Sequence, residues 1–139
     1  MKLIEINGNL FEDNNSLAHC VSQDLAMSKG IAVIFKEKFG NVDKLLNQKK
    51  KIGECAFLKF DDRMIFYLIT KNKYYHKPTY DNLRKSLCDM KKLCIDNDIT
   101  KLSMPKIGCG LDKLDWNKVK GILSDIFSDL DIQINIYYL

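Results

Sequence analysis

A glycine-rich turn that ends in a carboxylate is the segment of this chain best suited to chemistry. Residues 103–112 read SMPKIGCGLD and follow a segment, residues 99–104, that we predict to be a strand. Gly108 and Gly110 permit backbone conformations closed to other residues and let a ligand approach the main chain. The amide groups of such a turn can hold an anion. Asp112 then acts either as a turn residue that bonds local amides or as a general acid or base beside the ligand.

A lysine at the end of the most apolar segment is the second candidate for chemistry. Residues 65–70 (IFYLIT) are almost continuously apolar, as in a central strand covered on both faces, and Lys71 follows directly. Apolar surroundings and the nearby charges of Lys73 and Lys77 would favour the neutral amine, which is a nucleophile. The alternative is a lysine whose stem lies along the strand end while its ammonium reaches water. Strand context leaves both interpretations open.

The other polar and aromatic candidates have simpler structural interpretations. Gly30 precedes a predicted helix whose first amides could attract a phosphate, and a plain turn glycine explains it equally well. His19 lies in an apolar segment and is expected to be a core histidine with satisfied hydrogen bonds. His76 is expected at the surface of a basic loop. Tyr137 and Tyr138 are expected within the sheet, although an aromatic ring at that strand end could stack on a base.

Standard metal and phosphate motifs do not occur in the sequence. It contains no GxxxxGK[ST] loop, no GxSxG elbow and no HExxH pair. Its five cysteines are odd in number and show no CxxC spacing, so neither a disulfide framework nor a metal site is expected. Reduced thiols are typical of a cytoplasmic protein.

Composition predicts a single folded domain over residues 1–139. Hydrophobic residues make up 46% of the chain and charged residues 29%, which fits a globular protein rather than a disordered one. No apolar run approaches the roughly 20 residues of a membrane helix, and the first residues lack the pattern of a signal peptide. We therefore expect a cytoplasmic protein with no membrane partner and, by default for a small domain, a monomer. The net charge is +4, and the basic cluster Lys71, Lys73, His76 and Lys77 suits a phosphate-bearing ligand or nucleic acid.

Strands alternate with helices along the chain, which predicts an α/β sheet with helices on both faces. In such sheets ligands bind beyond the carboxyl ends of strands, and three predicted loops lie there: residues 22–30, 71–78 and 105–112. The hydrophobic patterns predict strands at residues 2–7, 16–21, 53–60, 63–70, 99–104 and 132–138. Helices are predicted at residues 31–39, 42–46, 80–96 and 116–127, with Thr79 and Asp115 as N-caps of the last two.

Seven segments in series carry a recognisable pattern along nearly the whole chain. They are residues 8–11 (GNLF), 16–22 (SLAHCVS), 27–40 (MSKGIAVIFKEKFG), 45–48 (LLNQ), 67–71 (YLITK), 76–80 (HKPTY) and 102–114 (LSMPKIGCGLDKL), with Trp116 after the last. Together they resemble the macrodomain family and, more narrowly, its terminal ADP-ribose protein glycohydrolase branch. The resemblance implies a three-layer α/β/α fold with a mixed, mostly parallel central sheet.

The resemblance also implies an ADP-ribose site across the strand ends. Two loops would wrap the diphosphate and the distal ribose through backbone amides. Asn9 stands where many macrodomains have the aspartate that holds the adenine amino group, and its neutral amide is expected to make a weaker contact. The ligand-binding residues implied in this way are Asn9, Leu10, Ser22, Ser28, Lys29, Gly30, Ile31, Ala32, Thr70, Pro105, Ile107, Gly108, Cys109, Gly110, Leu111, Tyr137 and Leu139.

The same resemblance implies a mechanism. In this branch a strand-end lysine attacks the anomeric carbon of the distal ribose, and an aspartate after the glycine turn helps to resolve the covalent lysyl–ADP-ribose intermediate. Lys71 and Asp112 stand at those positions. Another branch carries Asn-Ala-Ala-Asn after its second strand, whereas residues 20–23 here are CVSQ, which favours the lysine route. An amine and a carboxylate suffice for that route, so neither a metal nor another cofactor is expected.

Three functions follow as hypotheses. The first is an ADP-ribosyl hydrolase that acts on glutamate- or aspartate-linked ADP-ribose in proteins, or on O-acyl-ADP-ribose, with Lys71 and Asp112 as catalytic residues. The second is removal of ADP-ribose from DNA or RNA, as an antitoxin would do. The third is a module that binds ADP-ribose without turnover, against which the lysine–aspartate pair argues because a binding module needs neither residue.

Overall fold

The computed structural model describes residues 1–139 and confirms the predicted alternation of strands and helices. The only regular element that the sequence patterns did not predict is a short 3-10 helix, Leu10–Glu12. The strands are β1 (Lys2–Asn7), β2 (Ser16–Ser22), β3 (Cys55–Phe60), β4 (Arg63–Lys71), β5 (Lys101–Pro105) and β6 (Gln133–Tyr138). The helices are α1 (Ile31–Phe39), α2 (Val42–Asn47), α3 (Tyr80–Asp96) and α4 (Trp116–Phe127).

All six strands form one sheet in the order β1-β6-β5-β2-β4-β3. Every neighbouring pair is parallel except β3 and β4, which form an antiparallel hairpin. The expected mixed, mostly parallel sheet is therefore confirmed. Because five strands run in the same direction, their carboxyl ends meet at one edge of the sheet, where the three predicted loops also emerge.

The helix ends agree with the capping residues read from the sequence. The Oγ1 atom of Thr79 accepts a hydrogen bond from the amide of Asn82 at the start of α3, and the carboxylate of Asp115 accepts one from Lys118 at the start of α4. Helix α1 begins after Gly30 and ends at Gly40, both of which have positive φ angles.

Three strand starts lie later in the chain than predicted, for local reasons. Strand β3 begins at Cys55 because Gly53 has a φ of 87°, outside the extended region. Strand β5 begins at Lys101 because the amide of Ile99 bonds to the carbonyl of Cys94 and still belongs to the turn after α3. Strand β6 likewise follows a turn that includes residue 132.

Two hydrophobic cores cover the two faces of the sheet. Helices α3 and α4 pack over one core and helices α1 and α2 over the other. Strand β4 serves both cores, since Phe66 and Leu68 point to the first, and Ile65, Tyr67 and Ile69 to the second. This confirms the prediction of a central strand covered on both faces. None of the helices combines the length and apolar character that crossing a membrane requires.

Candidate functional site

A cavity of about 760 Å³ lies beyond the carboxyl ends of β2, β4, β5 and β6. The three predicted loops line it together, which is the arrangement expected of a ligand site in an open parallel sheet. Of the residues singled out as catalytic or ligand-binding, those on the cavity wall are Ser22, Ser28, Lys29, Gly30, Ile31, Ala32, Lys71, Pro105, Ile107, Gly108, Cys109, Gly110, Leu111, Asp112 and Tyr137.

Four singled-out residues do not line the cavity. The side chain of Asn9 is exposed, and its Oδ1 atom accepts a hydrogen bond from the amide of Phe11 at 3.0 Å. Leu10 and Thr70 are almost completely buried, whereas Leu139 is 97% exposed at the end of the chain. The amide of Asn9 therefore caps the 3-10 helix rather than facing the open space of the cavity.

The side chains of Lys71 and Asp112 meet in this cavity. The distance between Lys71 Nζ and Asp112 Oδ1 is 2.7 Å, and the two side chains are 12% and 19% exposed. Lys71 is the last residue of β4, and a register shift between Val21 and Ser22 places Ser22 opposite it. Two residues that are 41 positions apart in sequence thus form one partly buried ion pair.

The charge environment of Lys71 differs from the one the sequence suggested. Lys73 is exposed, and the ammonium of Lys77 donates to the carbonyl of Leu111 at 3.2 Å. The charged partner of the Lys71 amine is therefore the carboxylate of Asp112 rather than the ammonium groups of Lys73 and Lys77. A carboxylate at hydrogen-bond distance can accept a proton from the ammonium and so release the nucleophilic lone pair.

The glycine turn holds Asp112 through its own backbone bonds. The amide of Leu114 donates to the carbonyl of Gly108 at 2.8 Å, and the amide of Lys113 donates to that of Gly110 at 3.1 Å. Gly108 has a φ of 71°, and a Cβ atom there would lie 2.8 Å from Leu114 Cδ1. Gly110 has neither a positive φ nor a close neighbour. Of the two glycines, only Gly108 is required by the shape of the turn.

The start of α1 presents backbone amides to the opposite wall of the cavity. Gly30 has a φ of 61°, and no side chain caps the helix. The first amides of a helix have no partner within the helix and attract anions. A Cβ atom on Gly30 would lie 3.6 Å from Leu111 Cδ1, so the loop before α1 and the glycine turn approach each other over the cavity.

Two thiols on the cavity wall are poor nucleophiles. Burial and the nearby charge of Asp112 raise the pKa of Cys20 to about 12. Burial likewise raises the pKa of Cys109 to about 11. Both groups are protonated at ordinary pH, and all five cysteines are free. The nucleophile best placed in the cavity is therefore the lysine amine.

His19 departs from its expected environment, whereas Tyr137 lies in the sheet as expected, in β6. His19 is a core residue, but the expected hydrogen bonds are not made within the protein, because no protein atom pairs with either ring nitrogen. Its ring stacks on Phe35 with 3.7 Å between centroids, and burial lowers its pKa to about 3. The hydroxyl of Tyr137 donates to Asp13 Oδ2 at 2.7 Å, which raises the pKa of Tyr137 to about 12.

Sequence reasoning missed two features, one on the cavity wall and one in the loops beside it. The rings of Tyr74 and Tyr75 lie on its wall although they are 50% and 68% exposed. Asp24 bridges two of the loops through both of its carboxylate oxygens. The available signal for Asp24 was its place two residues beyond a buried strand, a common position for a carboxylate that bonds local amides.

Comparisons with known proteins agree with the fold and show the family of the chain. The family model described as Macro domain matches residues 18–123. The chain is 54% identical to the ADP-ribose glycohydrolase OARD1 of Bos taurus and 53% identical to that of Homo sapiens, in each case over 99% of this chain and 92% of the relative. The macrodomain of Thermus aquaticus DarG has the same fold, with a TM-score of 0.87 and 22% identity over 99% of this chain and 98% of that one. Because the family model spans most of the chain and two relatives exceed half identity along its length, the chain belongs to the macro domain family.

Proposed function

We propose that this chain is an ADP-ribosyl hydrolase that releases ADP-ribose from ester-linked substrates, with Lys71 as nucleophile and Asp112 as acid and base. The observation that carries the proposal is the 2.7 Å contact between these two side chains inside the cavity. The two OARD1 relatives, which are named ADP-ribose glycohydrolases, support it. A protein carboxylate or a small acyl group is the proposed leaving group.

The cavity can hold ADP-ribose with its reactive carbon beside this pair. Backbone amides of Gly30, Ile31 and Ala32 and of the glycine turn suit the diphosphate, and Lys29 adds a positive charge at the rim. The distal ribose then reaches toward Lys71 and Asp112, which lie where β4 and the glycine turn meet.

In the first step Asp112 takes a proton from the Lys71 ammonium, and the free amine attacks the anomeric carbon of the distal ribose. The nitrogen–carbon bond forms as the carbon–oxygen bond to the acyl group breaks, and the bonding pair leaves with the carboxylate. A carboxylate is stable as an anion, so departure needs no proton. The proton on Asp112 then passes to the departed carboxylate, which leaves the site as the acid, so Asp112 is again a carboxylate and the lysyl–ADP-ribose adduct carries a secondary ammonium.

In the second step water attacks the same carbon. The carboxylate of Asp112 removes the proton of the water, the carbon–nitrogen bond breaks, and its electron pair returns to Lys71 together with that proton. The products are ADP-ribose and the regenerated pair. The chain's own amine and carboxylate perform every proton transfer, so we expect a metal chelator to leave the rate unchanged.

The test is substitution of each member of the pair. Lys71→Ala should lower release of ADP-ribose from glutamate-modified protein by about 1,000-fold or more. Asp112→Ala should slow the first step and block the second, so that the adduct accumulates over a long incubation, visible by mass spectrometry as ADP-ribose less one water on Lys71. Lys101→Ala is the matched control, since this lysine is exposed at the start of β5. Full activity of Lys71→Ala would refute the mechanism, and micromolar binding of ADP-ribose without turnover of any ester would favour a binding module.

A single-stranded nucleic acid is the second candidate acceptor, favoured by the exposed loop after β4. Residues 73–77 read KYYHK, and the rings of Tyr74 and Tyr75 meet edge to face at 5.3 Å between centroids. Exposed aromatic rings stack on bases, and lysines beside them attract phosphates. Release rates from modified protein, DNA and RNA, compared under one salt condition, decide between the acceptors.

A further inference from the structure

We infer that Asp24 is a positioning residue for the reaction: its carboxylate fixes the backbone that carries Lys71. The inference rests on the proposed function, since it assigns Asp24 a role in forming the adduct. Asp24 is not on the cavity wall and touches neither Lys71 Nζ nor Asp112. Asp24 therefore affects the reaction only through the loop after β4, to which it bonds.

The two oxygens of the Asp24 carboxylate bond to two different loops. Oδ1 accepts from the hydroxyl of Ser22, the last residue of β2, and, at 3.2 Å, from the amide of Ala26 in the loop that follows. Oδ2 accepts from the amide of Tyr74 at 3.2 Å, in the loop after β4. Burial opposes the charge, but these hydrogen bonds outweigh it and hold the pKa of Asp24 below its ordinary value. Asp24 is therefore a charged acceptor at ordinary pH.

The contact with Tyr74 completes a clamp around the nucleophile. The amide of Gln23 donates to the carbonyl of Lys71 at 2.8 Å, so the preceding residue of the same loop already holds the last peptide of β4. Asp24 then bonds to the amide of Tyr74, three residues after Lys71. The backbone of Lys71 is thus fixed on its carboxyl side at two points by two consecutive residues. A displacement of about 1 Å at a reacting group can cost a factor of roughly 100 in rate, which makes such a clamp relevant to catalysis.

The loop that carries Asp24 is itself held in an uncommon shape. Leu25 and Met27 have φ angles of 53° and 44°, in the left-handed region that residues with a side chain rarely adopt. Both side chains are buried in the core under α1 and α2. The bond from the Ala26 amide to Asp24 stabilises the backbone between them. Strain of this kind persists where surrounding contacts over-determine the conformation, as at many active sites.

The substitution Asp24→Asn should keep the hydrogen bonds to Ser22 and Ala26 and remove the one to Tyr74. The amide oxygen of asparagine can still accept from Ser22 and Ala26, so the loop after β2 keeps its bonds. The amide nitrogen would face the N–H of Tyr74, and two donors cannot pair. We expect the rate of adduct formation on Lys71 in a single turnover to fall about tenfold, while the dissociation constant of ADP-ribose stays within about twofold of the wild-type value.

Asp62→Asn is the matched control, because this aspartate is exposed in the turn between β3 and β4. It should change neither the rate nor the affinity. Hydrogen exchange supplies a measurement that does not depend on the variant: the Tyr74 amide of the wild-type protein should be protected although its side chain is half exposed. In Asp24→Asn that protection should be lost, with exchange elsewhere unchanged.

The outcomes separate the inference from the function on which it rests. A wild-type protein that forms no adduct on Lys71 contradicts the proposed mechanism, and the positioning role falls with it. If the wild-type protein forms the adduct and the Asp24→Asn variant forms it equally fast, the positioning role alone is overturned. Parallel losses of rate, affinity and melting temperature would overturn it too, since they describe a residue that only supports folding. An unprotected Tyr74 amide in the wild-type protein would do the same.

Discussion

The buried imidazole of His19 gives the stability of this protein a pH dependence that can be traced to one residue. Burial holds its pKa near 3, whereas in the unfolded chain a histidine titrates near 6.5. Between these values the unfolded state binds a proton that the folded state does not. The contribution of His19 to the free energy of unfolding should therefore fall as the pH falls, by about 1.4 kcal/mol per pH unit below about pH 6.

We expect His19→Phe to remove that part of the slope, because phenylalanine keeps a flat ring against Phe35 and cannot be protonated. Denaturant unfolding of both proteins at a series of values from about pH 7 to about pH 5, which spans the titration of an ordinary histidine, measures the difference. The chain's other histidine, His76, is exposed, so His76→Phe should keep the wild-type slope. Equal slopes for the wild-type protein and His19→Phe would contradict the argument.

The glycine turn is the element that holds Asp112, and its two glycines are not equivalent. Gly108→Ala would put a methyl group 2.8 Å from Leu114 Cδ1 at a φ of 71°. We expect a loss of about 1–2 kcal/mol in the free energy of unfolding, from the left-handed backbone and the displaced leucine. Gly110→Ala meets nothing within 4 Å and should stay within about 0.5 kcal/mol of wild type. Equal losses at the two positions, measured by denaturant titration, would show that the turn does not depend on Gly108.

Elements with a local cause were predictable from the sequence. Helices α1, α3 and α4 have the predicted bounds because a glycine, Thr79 and Asp115 fix where they begin. The 3-10 helix was missed because it is three residues long: the backbone bonds from the amides of Glu12 and Asp13 and the cap by the Asn9 side chain leave no trace in the hydrophobic pattern. The late start of β5 depends on a turn bond at Ile99, which hydrophobic patterning does not detect.

The candidate site was likewise predictable only where its features have a local cause in the sequence. The order of strands and loops brings Lys71 and Asp112 to one edge of the sheet, and the resemblance of seven segments gave them roles. The contact of Asp24 with Tyr74 joins residues 50 positions apart, so nothing near Asp24 in the sequence announces it. The same is true of the unpartnered nitrogens of His19, since an apolar neighbourhood predicts burial but not whether a hydrogen-bond partner is present.

At the scale of the whole molecule, Asp13 connects parts of the sheet that are far apart in sequence. Its Oδ2 atom accepts from the hydroxyls of Ser103 in β5 at 2.8 Å and Tyr137 in β6 at 2.7 Å. Its carbonyl accepts from Arg63 at the start of β4. The segment between β1 and β2 is thereby tied to three strands. Ser103 is completely buried, so its hydroxyl depends on this acceptor.

Removing the carboxylate of Asp13 should therefore lower the free energy of unfolding more than removing one of the hydroxyls that donate to it. We expect Asp13→Ala to lower the free energy of unfolding by about 2–3 kcal/mol, since it leaves the Ser103 hydroxyl buried without a partner, and Tyr137→Phe to lower it by about 1 kcal/mol. The double variant should lose less than the sum, because both changes remove the same hydrogen bond. Asp131→Ala, at an exposed position, is the control and should stay within about 0.5 kcal/mol. Strict additivity of the two losses would mean that Asp13 and Tyr137 stabilise the molecule independently, and that the segment before β2 is not tied to β6 by this bond.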